Sequence, residues 1–217
     1  MLGDEEQRSL LAGYDAVLVG GASLDPALRT RAEAAGVRVV ATYGSSETAG
    51  GCVYDGRPLD GVRLRTDADG RLLVGGPTLF DGYDGDPALT AETLDDGWFR
   101  TSDLAEIDAD GRLRVLGRVD DVVNTGGVKV PAAAVARRLR EHPAVGAAEV
   151  LGVPDAEWGQ RVVAVVVGDL ALDAARDWVA EAHPRAWAPR EVVHVDALPL
   201  LASGKTDRQR LLGLVGA

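Results

Sequence analysis

The chain has 217 residues, 46% of them hydrophobic and 5% aromatic, with a formal net charge of −11 at pH 7. That length and apolar content suffice for one large or two modest globular domains, and the negative charge argues against a nucleic-acid partner or an anionic membrane surface. Cys52 is the only cysteine, which excludes an intramolecular disulfide and a cysteine-built metal site.

From the amino terminus, MLGDEEQRSLL is acidic where a signal peptide needs basic residues, and no stretch reaches the ~18 apolar residues of a membrane-spanning helix, so the reading is cytoplasmic. DEEQRSLLAG predicts a short helix ending at Gly13, and YDAVLVGGA a buried strand that runs into a glycine turn. LDPALRTRAEAAG predicts an amphipathic helix with Pro26 in its first turn, Ala27, Leu28, Ala32 and Ala35 facing inward, and Gly36 as its stop. VRVVATYG is a second strand. Strand, helix and strand in this spacing predict a parallel βαβ unit whose glycine loops face a common crevice, which places TYGSSETAGG (42–51) where α/β proteins bind ligands.

From Arg57 to Val119 the pattern changes to short strands broken by turns. TDADGRLLVGG and IDADGRLRVLG are near repeats, each an Asp/Gly turn between strands, and predict two β-hairpins. A calcium loop is the weaker reading of those aspartates, because neither stretch supplies the further ligands and terminal Glu of an EF-hand. Beyond GRVDDVV, the segments PAAAVARRLREHP and LDAARDWVAEAHP predict helices, and AAEVLGVPD, RVVAVVVGD and REVVHVDALP predict strands. The expected architecture is α/β and α+β: residues 1–119 form the first part (1–56 βαβ, 57–119 β-rich), and a small α+β domain of about a hundred residues follows from a boundary near Asp120.

Five stretches, LVGGASL, TYGSSET, DGWFRTSDL, GRVDDVVNTGGVKV and LPLLASGKTDR, stand in the order and approximate spacing of the core motifs of the acyl-adenylate-forming enzymes, which the chain resembles over nearly its whole length. Within that superfamily, SETAGGCVYDGRPLDGVRLR, NTGGVKVPAAAV and VPDAEWGQRVVAVVV look most like the o-succinylbenzoate–CoA ligases of actinobacterial menaquinone synthesis. The resemblance implies a carboxylate joined to AMP from ATP with Mg2+, then transfer to the CoA thiol, with o-succinylbenzoate as the acid. Two further readings stay open: a non-catalytic AMP- or CoA-binding module, and another acyl-CoA ligase.

The resemblance also implies the site. Gly20, Gly21 and Ala22 let the backbone pass close to the adenine, Tyr43 stacks on it, Gly44 belongs to the same nucleotide-binding loop, and the region 44–51 touches the acid. Ser46 stands where the family usually has Thr and reaches the α-phosphate. Glu47 is the magnesium ligand, Asp103 accepts the ribose hydroxyls and Arg118 holds the ribose end. Lys205 is the mobile lysine of adenylation. Asp120 is the hinge, and Gly126 and Gly127 line the path of the pantetheine arm. Taken singly, each has a plainer reading: a core aromatic for Tyr43, caps for Glu47 and Asp103, a solvated loop lysine for Lys205. Cys52 reads as a small buried residue, and His142, His183 and His194 show no metal spacing. The sequence lacks the family's lysine-ended Ser/Thr/Gly loop for the β- and γ-phosphates. A fragment, or a short protein with a companion chain, is therefore expected, and exposed strand edges favour self-association.

Overall fold

The computed structural model describes residues 4–21, 24–202 and 205–216. The chain divides into two compact units, Met1–Val115 and Leu116–Ala217.

In the first unit, α1 (Glu5–Ala12) begins where the Asp4 carboxylate accepts the Glu6 N–H and ends at Gly13. The strands β1 (Val17–Val19) and β2 (Val39–Ser45) flank α2 (Pro26–Ala34) and pair in parallel, with Val17 opposite Val39. Asp25 starts α2 by accepting the N–H groups of Ala27 and Leu28, and Pro26 lies in the first turn, where its missing N–H costs nothing. The sheet then continues antiparallel through β3 (Gly50–Tyr54) and β4 (Arg57–Pro58), in the order β1-β2-β3-β4.

Two expectations for this region are corrected. β1 is a short strand at the edge of its sheet among the described residues, and it is not buried: Leu18 at its centre is 59% exposed. On α2 only Ala32 is buried, in a small cluster with Val37 and Val39, while Ala27 and Leu28 are exposed and Ala35 is half-buried. The helix therefore rests on the sheet through one narrow stripe.

The second sheet of this unit contains β5 (Arg63–Thr66), β6 (Arg71–Gly75) and, beyond α3 (Pro87–Thr93), β7 (Leu94–Asp95), β8 (Trp98–Ile107) and β9 (Leu113–Arg118). Its order is β5-β6-β8-β7, with β9 paired to β8. The near-repeated stretches fold into the same turn twice. Asp67 Oδ1 accepts the N–H groups of Asp69 and Arg71, Asp108 Oδ1 accepts those of Asp110 and Arg112, and Gly70 (φ 81°) and Gly111 (φ 75°) take the left-handed position. Those aspartates cap their own turns. The core beneath them gathers Cys52, Val53, Val62, Leu72, Val74, Ala105 and Leu113, with Tyr43 packed against it. Cys52 is fully buried, and desolvation pushes its thiol pKa up, as befits a small packing residue. The division between the units falls inside β9, ahead of Asp120.

The second unit comprises β10 (Val122–Thr125), β11 (Val128–Pro131), α4 (Ala132–Arg140), β12 (Val145–Asp155), β13 (Gly159–Gly168), α5 (Leu172–Ala180), β14 (Glu191–His194) and α6 (Arg208–Leu214). The sheet runs β11-β10-β13-β12, with β14 parallel to β13. Residues 162–167 of β13 are an unbroken apolar run because both faces of the sheet are covered there. Val162, Ala164 and Val166 join Val135 and Leu139 of α4 and Val179 of α5, while Val163 and Val165 point the other way, to Leu211 and Val215.

Candidate nucleotide site

TYGSSETAGG folds as a tight reversal between β2 and β3. Ser46–Thr48 form a single 3-10 turn, Ala49 (φ 54°) and Gly50 (φ 96°) reverse the backbone, and Ser45 then pairs with Gly50. The buried Thr48 hydroxyl locks the turn, accepting the Ser45 N–H (2.9 Å) and donating to the Gly50 carbonyl (2.8 Å). Gly44 is required by the reversal itself, since a Cβ there would lie 1.8 Å from the Gly50 carbonyl oxygen. Ser46 is exposed at the tip.

The half-buried Tyr43 leaves β2 on the core side of this turn, and its phenol donates to Asp103 Oδ2 on β8 at 2.6 Å. Desolvation and the neighbouring carboxylate both raise the phenol pKa well above its usual value, so it remains a donor throughout the neutral range. Asp103 is held in turn by its backbone: its N–H donates to Thr101 Oγ1 (3.1 Å), and the buried Thr101 hydroxyl donates to the Leu72 carbonyl (2.9 Å). Two residues 60 positions apart thus form one fixed donor–acceptor pair.

Glu47 lies half-buried in the turn, and its Oε1 accepts the phenol of Tyr83 at 2.8 Å. Burial opposes its ionisation, but hydrogen bonds from the Ser45 hydroxyl, its own backbone N–H and Tyr83 hold the carboxyl below its ordinary pKa. Among the described residues there is no group of three or more His, Cys, Asp or Glu that could hold a metal ion. A single carboxylate of this kind fits a Mg2+ that arrives on phosphates and keeps most of its water, not one caged by protein.

Gly20 and Gly21 follow β1. A Cβ on Gly20 would meet the Thr42 hydroxyl of β2 at 2.3 Å, whereas Gly21 (φ 78°) has open space around it. Ala22, also expected here, lies outside the described residues. In the second unit, Arg118 and Asp120 form a two-bond ion pair (2.9 and 3.2 Å) on the exposed turn before β10, and the guanidinium lowers the Asp120 pKa against a smaller effect of burial. Asp121 beside it pairs with Arg208 of α6 at 3.4 Å. Gly126 (φ 55°) makes room for a protein side chain, because a Cβ there would lie 2.6 Å from the Trp158 ring, while nothing lies within 4 Å of a Cβ on Gly127. Lys205 is exposed, and its carbonyl accepts the Leu201 N–H (2.8 Å). Ser203 and Gly204 beside it lie outside the described residues.

The structure therefore brings together Tyr43 with Asp103, and Glu47 with a residue that sequence reasoning missed, Tyr83. The signal for Tyr83 was present as an aromatic between glycines and aspartates in FDGYDGD, but nothing local points it toward Glu47.

Comparison with known proteins identifies the family of the chain. Residues 134–205 match the AMP-binding enzyme C-terminal domain, and the chain belongs to the acyl-adenylate-forming superfamily, matching a carboxy-terminal portion of it. A protein of Mycobacterium tuberculosis named "Probable 2-succinylbenzoate–CoA ligase" is 46% identical over 218 residues, covering 97% of this chain and 57% of that relative. The crystal structure of apo MatB from Rhodopseudomonas palustris is 30% identical with a TM-score of 0.79, covering 92% of this chain and 45% of its own. The o-succinylbenzoate CoA synthetase of Bacillus subtilis, solved with its acyl-adenylate intermediate, is 27% identical with a TM-score of 0.72, covering 94% of this chain and 48% of its own. The chain spans about half the length of the relatives it matches. Among the described residues, no helix is long and apolar enough to cross a membrane.

Proposed function

We propose that this chain supplies the adenosine- and cation-contacting hairpin, the hinge and the adenylating lysine of a 2-succinylbenzoate–CoA ligase working in the cytoplasm. The observation that carries the reading is the Tyr43–Asp103 hydrogen bond of 2.6 Å, which joins an aromatic ring and a carboxylate suited to the base and the sugar of one nucleoside. A ring and a carboxylate already locked by the protein need little ordering when the ligand arrives.

In this reading the acid's carboxylate oxygen attacks the α-phosphorus of ATP, pyrophosphate leaves, and the CoA sulfur then attacks the acyl carbon and expels AMP. Asp103 accepts hydrogen bonds from the ribose hydroxyls, and Arg118 is assigned to the ribose by the family resemblance alone. Ser46 donates its hydroxyl to the α-phosphate. Glu47 offers a hard oxygen to Mg2+, which when bound with ATP neutralises phosphate charge. Lys205, a compact charge on a flexible stem, stabilises the charge that grows on the α-phosphate during the first step. Asp120 is the hinge about which the second unit changes pose between the half-reactions, and the loop at Gly126 and Gly127 borders the pantetheine arm in the second. The 46% identity to the mycobacterial relative supports the succinylbenzoate assignment.

A second reading is AMP or CoA binding without turnover, which the Tyr43–Asp103 pair supports equally, since it offers a ring and a carboxylate to a nucleoside without supplying a step of the reaction. Titration of the 217-residue chain with AMP, ATP and an o-succinylbenzoyl-AMP analogue, beside a pyrophosphate-release assay with the acid and CoA, separates the two. Binding with turnover supports the ligase, binding alone supports the second reading for this polypeptide, and no binding of any nucleotide refutes both for the chain by itself.

A further inference from the structure

Glu47 is gripped from a side that the nucleotide reading leaves unused. The segment between β6 and α3 lies against the hairpin turn through two bonds to this one residue: the Phe80 N–H donates to the Glu47 carbonyl (2.9 Å), and the Tyr83 phenol donates to Glu47 Oε1 (2.8 Å). Tyr83 is itself immobilised. Its N–H donates to Thr90 Oγ1 of α3 (2.9 Å), its ring stands edge-on to Phe80 (4.9 Å, 70°), and Phe80 stands edge-on to the buried Phe99 of β8 (5.7 Å, 78°). Gly82 before it (φ 150°) presses against α3, where a Cβ would come 2.8 Å from the Thr90 methyl. The phenol thus reaches Glu47 from a packed scaffold.

We propose that Tyr83 is a positioning residue that sets how Glu47 meets the nucleotide's divalent cation, and through that favours Mg2+ over Ca2+. The proposal rests on the reading of Glu47 as the cation-contacting group. With Oε1 engaged by the phenol, the carboxylate offers the cation its other oxygen and is turned away from a two-oxygen clasp. One oxygen suits the small octahedral shell of Mg2+, which keeps its waters, whereas Ca2+ accepts carboxylates through both oxygens and tolerates irregular shells. A hydrogen bond to a charged carboxylate is strong enough to hold that choice.

The test is calorimetric titration of the chain with ATP in Mg2+, in Ca2+, and of AMP without a divalent cation, for the wild type, Tyr83→Phe, Glu47→Gln and the double variant. Tyr83→Phe keeps the ring and its edge-on contacts while removing the donor. Expected is a loss of roughly three- to ten-fold in affinity for Mg–ATP, a smaller loss or a gain for Ca–ATP, AMP affinity unchanged, and no further effect of Tyr83→Phe once Glu47 is Gln. Equal losses with both cations would reduce Tyr83 to a packing residue and overturn the proposal, as would unchanged affinities. Wild-type ATP binding indifferent to cation would remove Glu47 from the cation and overturn it too, while leaving the adenosine reading standing on AMP. Failure of the wild type to bind AMP would overturn the nucleotide reading and this inference with it.

Discussion

Tyr43 is asked to do two things by its position: fill the edge of a core with its ring and donate a hydrogen bond to Asp103 with its hydroxyl. Tyr43→Phe separates them, since the ring stays and only the 2.6 Å bond goes. Titration should show AMP affinity reduced by about ten-fold, the size expected for a hydrogen bond to a charged group, with the fold retained; an unchanged affinity would mean the pair has no part in the adenosine site. Lys205 lies at the other extreme, exposed on its loop. In the complete enzyme Lys205→Ala should lower the adenylation rate by about a hundred-fold or more and leave thioester formation from preformed acyl-adenylate nearly intact. Equal loss of both steps in single-turnover assays would contradict its role. Motif order named the candidate residues but not their partners. The sequence contains Tyr43, Glu47 and Asp103, yet the bonds Tyr43–Asp103 and Tyr83–Glu47 join positions 60 and 36 apart.

At the level of elements, the hairpin that carries Ser46 and Glu47 depends on two small devices. The first is Gly44, where any side chain would collide with the Gly50 backbone at 1.8 Å. Gly44→Ala should cost about 3 kcal/mol in urea unfolding, because the clash is with backbone that cannot rotate away. Gly213→Ala in α6, which meets nothing within 4 Å and has an ordinary helical backbone, should instead stabilise by roughly 0.5–1 kcal/mol. The second device is Asp55, in the turn between β3 and β4, whose carboxylate accepts the Ala41 N–H and an Arg29 N–H, each at 3.0 Å, and so ties β2 to that turn. Burial raises its pKa, but these bonds outweigh it and hold the carboxyl below its ordinary range. A depressed native value stabilises the fold above the unfolded pKa, near 4, and that gain is lost as pH falls through the native value. Asp55→Asn should therefore cost about 1 kcal/mol at pH 7, after discounting for its partial exposure, and nothing measurable once the pH has fallen through the depressed native value. Thermal melts across that range would expose a pH-independent difference if the carboxylate's charge were irrelevant. The elements themselves were readable because helix caps, Asp/Gly turns and alternating apolar residues act over a few positions. β1 and α2 departed from expectation for the complementary reason: apolar composition shows that a face can be buried, and only the neighbours decide whether it is.

On the scale of the molecule, each unit has its own apolar clusters, with Leu72 and Val74 in the first and Leu139 and Val165 in the second. Leu139→Ala, at a fully buried position of α4, should remove about 2–5 kcal/mol from the second unit. Hydrogen exchange read by mass spectrometry should then rise in peptides of residues 116–217 and stay unchanged in those of 4–115; a rise in both would show that the units unfold as one. By itself the sequence determined the twice-used Asp/Gly turn, membership of the adenylate-forming superfamily and most of the order of helices and strands, though not α3 or α6, because capping, periodicity and motif order are properties of short stretches and their succession. Only the tertiary structure decided that Leu18 is exposed, that Trp158 occupies the space beside Gly126 and that Tyr83 holds Glu47. Those outcomes depend on which distant surfaces the sheet pairings and the packing bring together, and no local pattern encodes that.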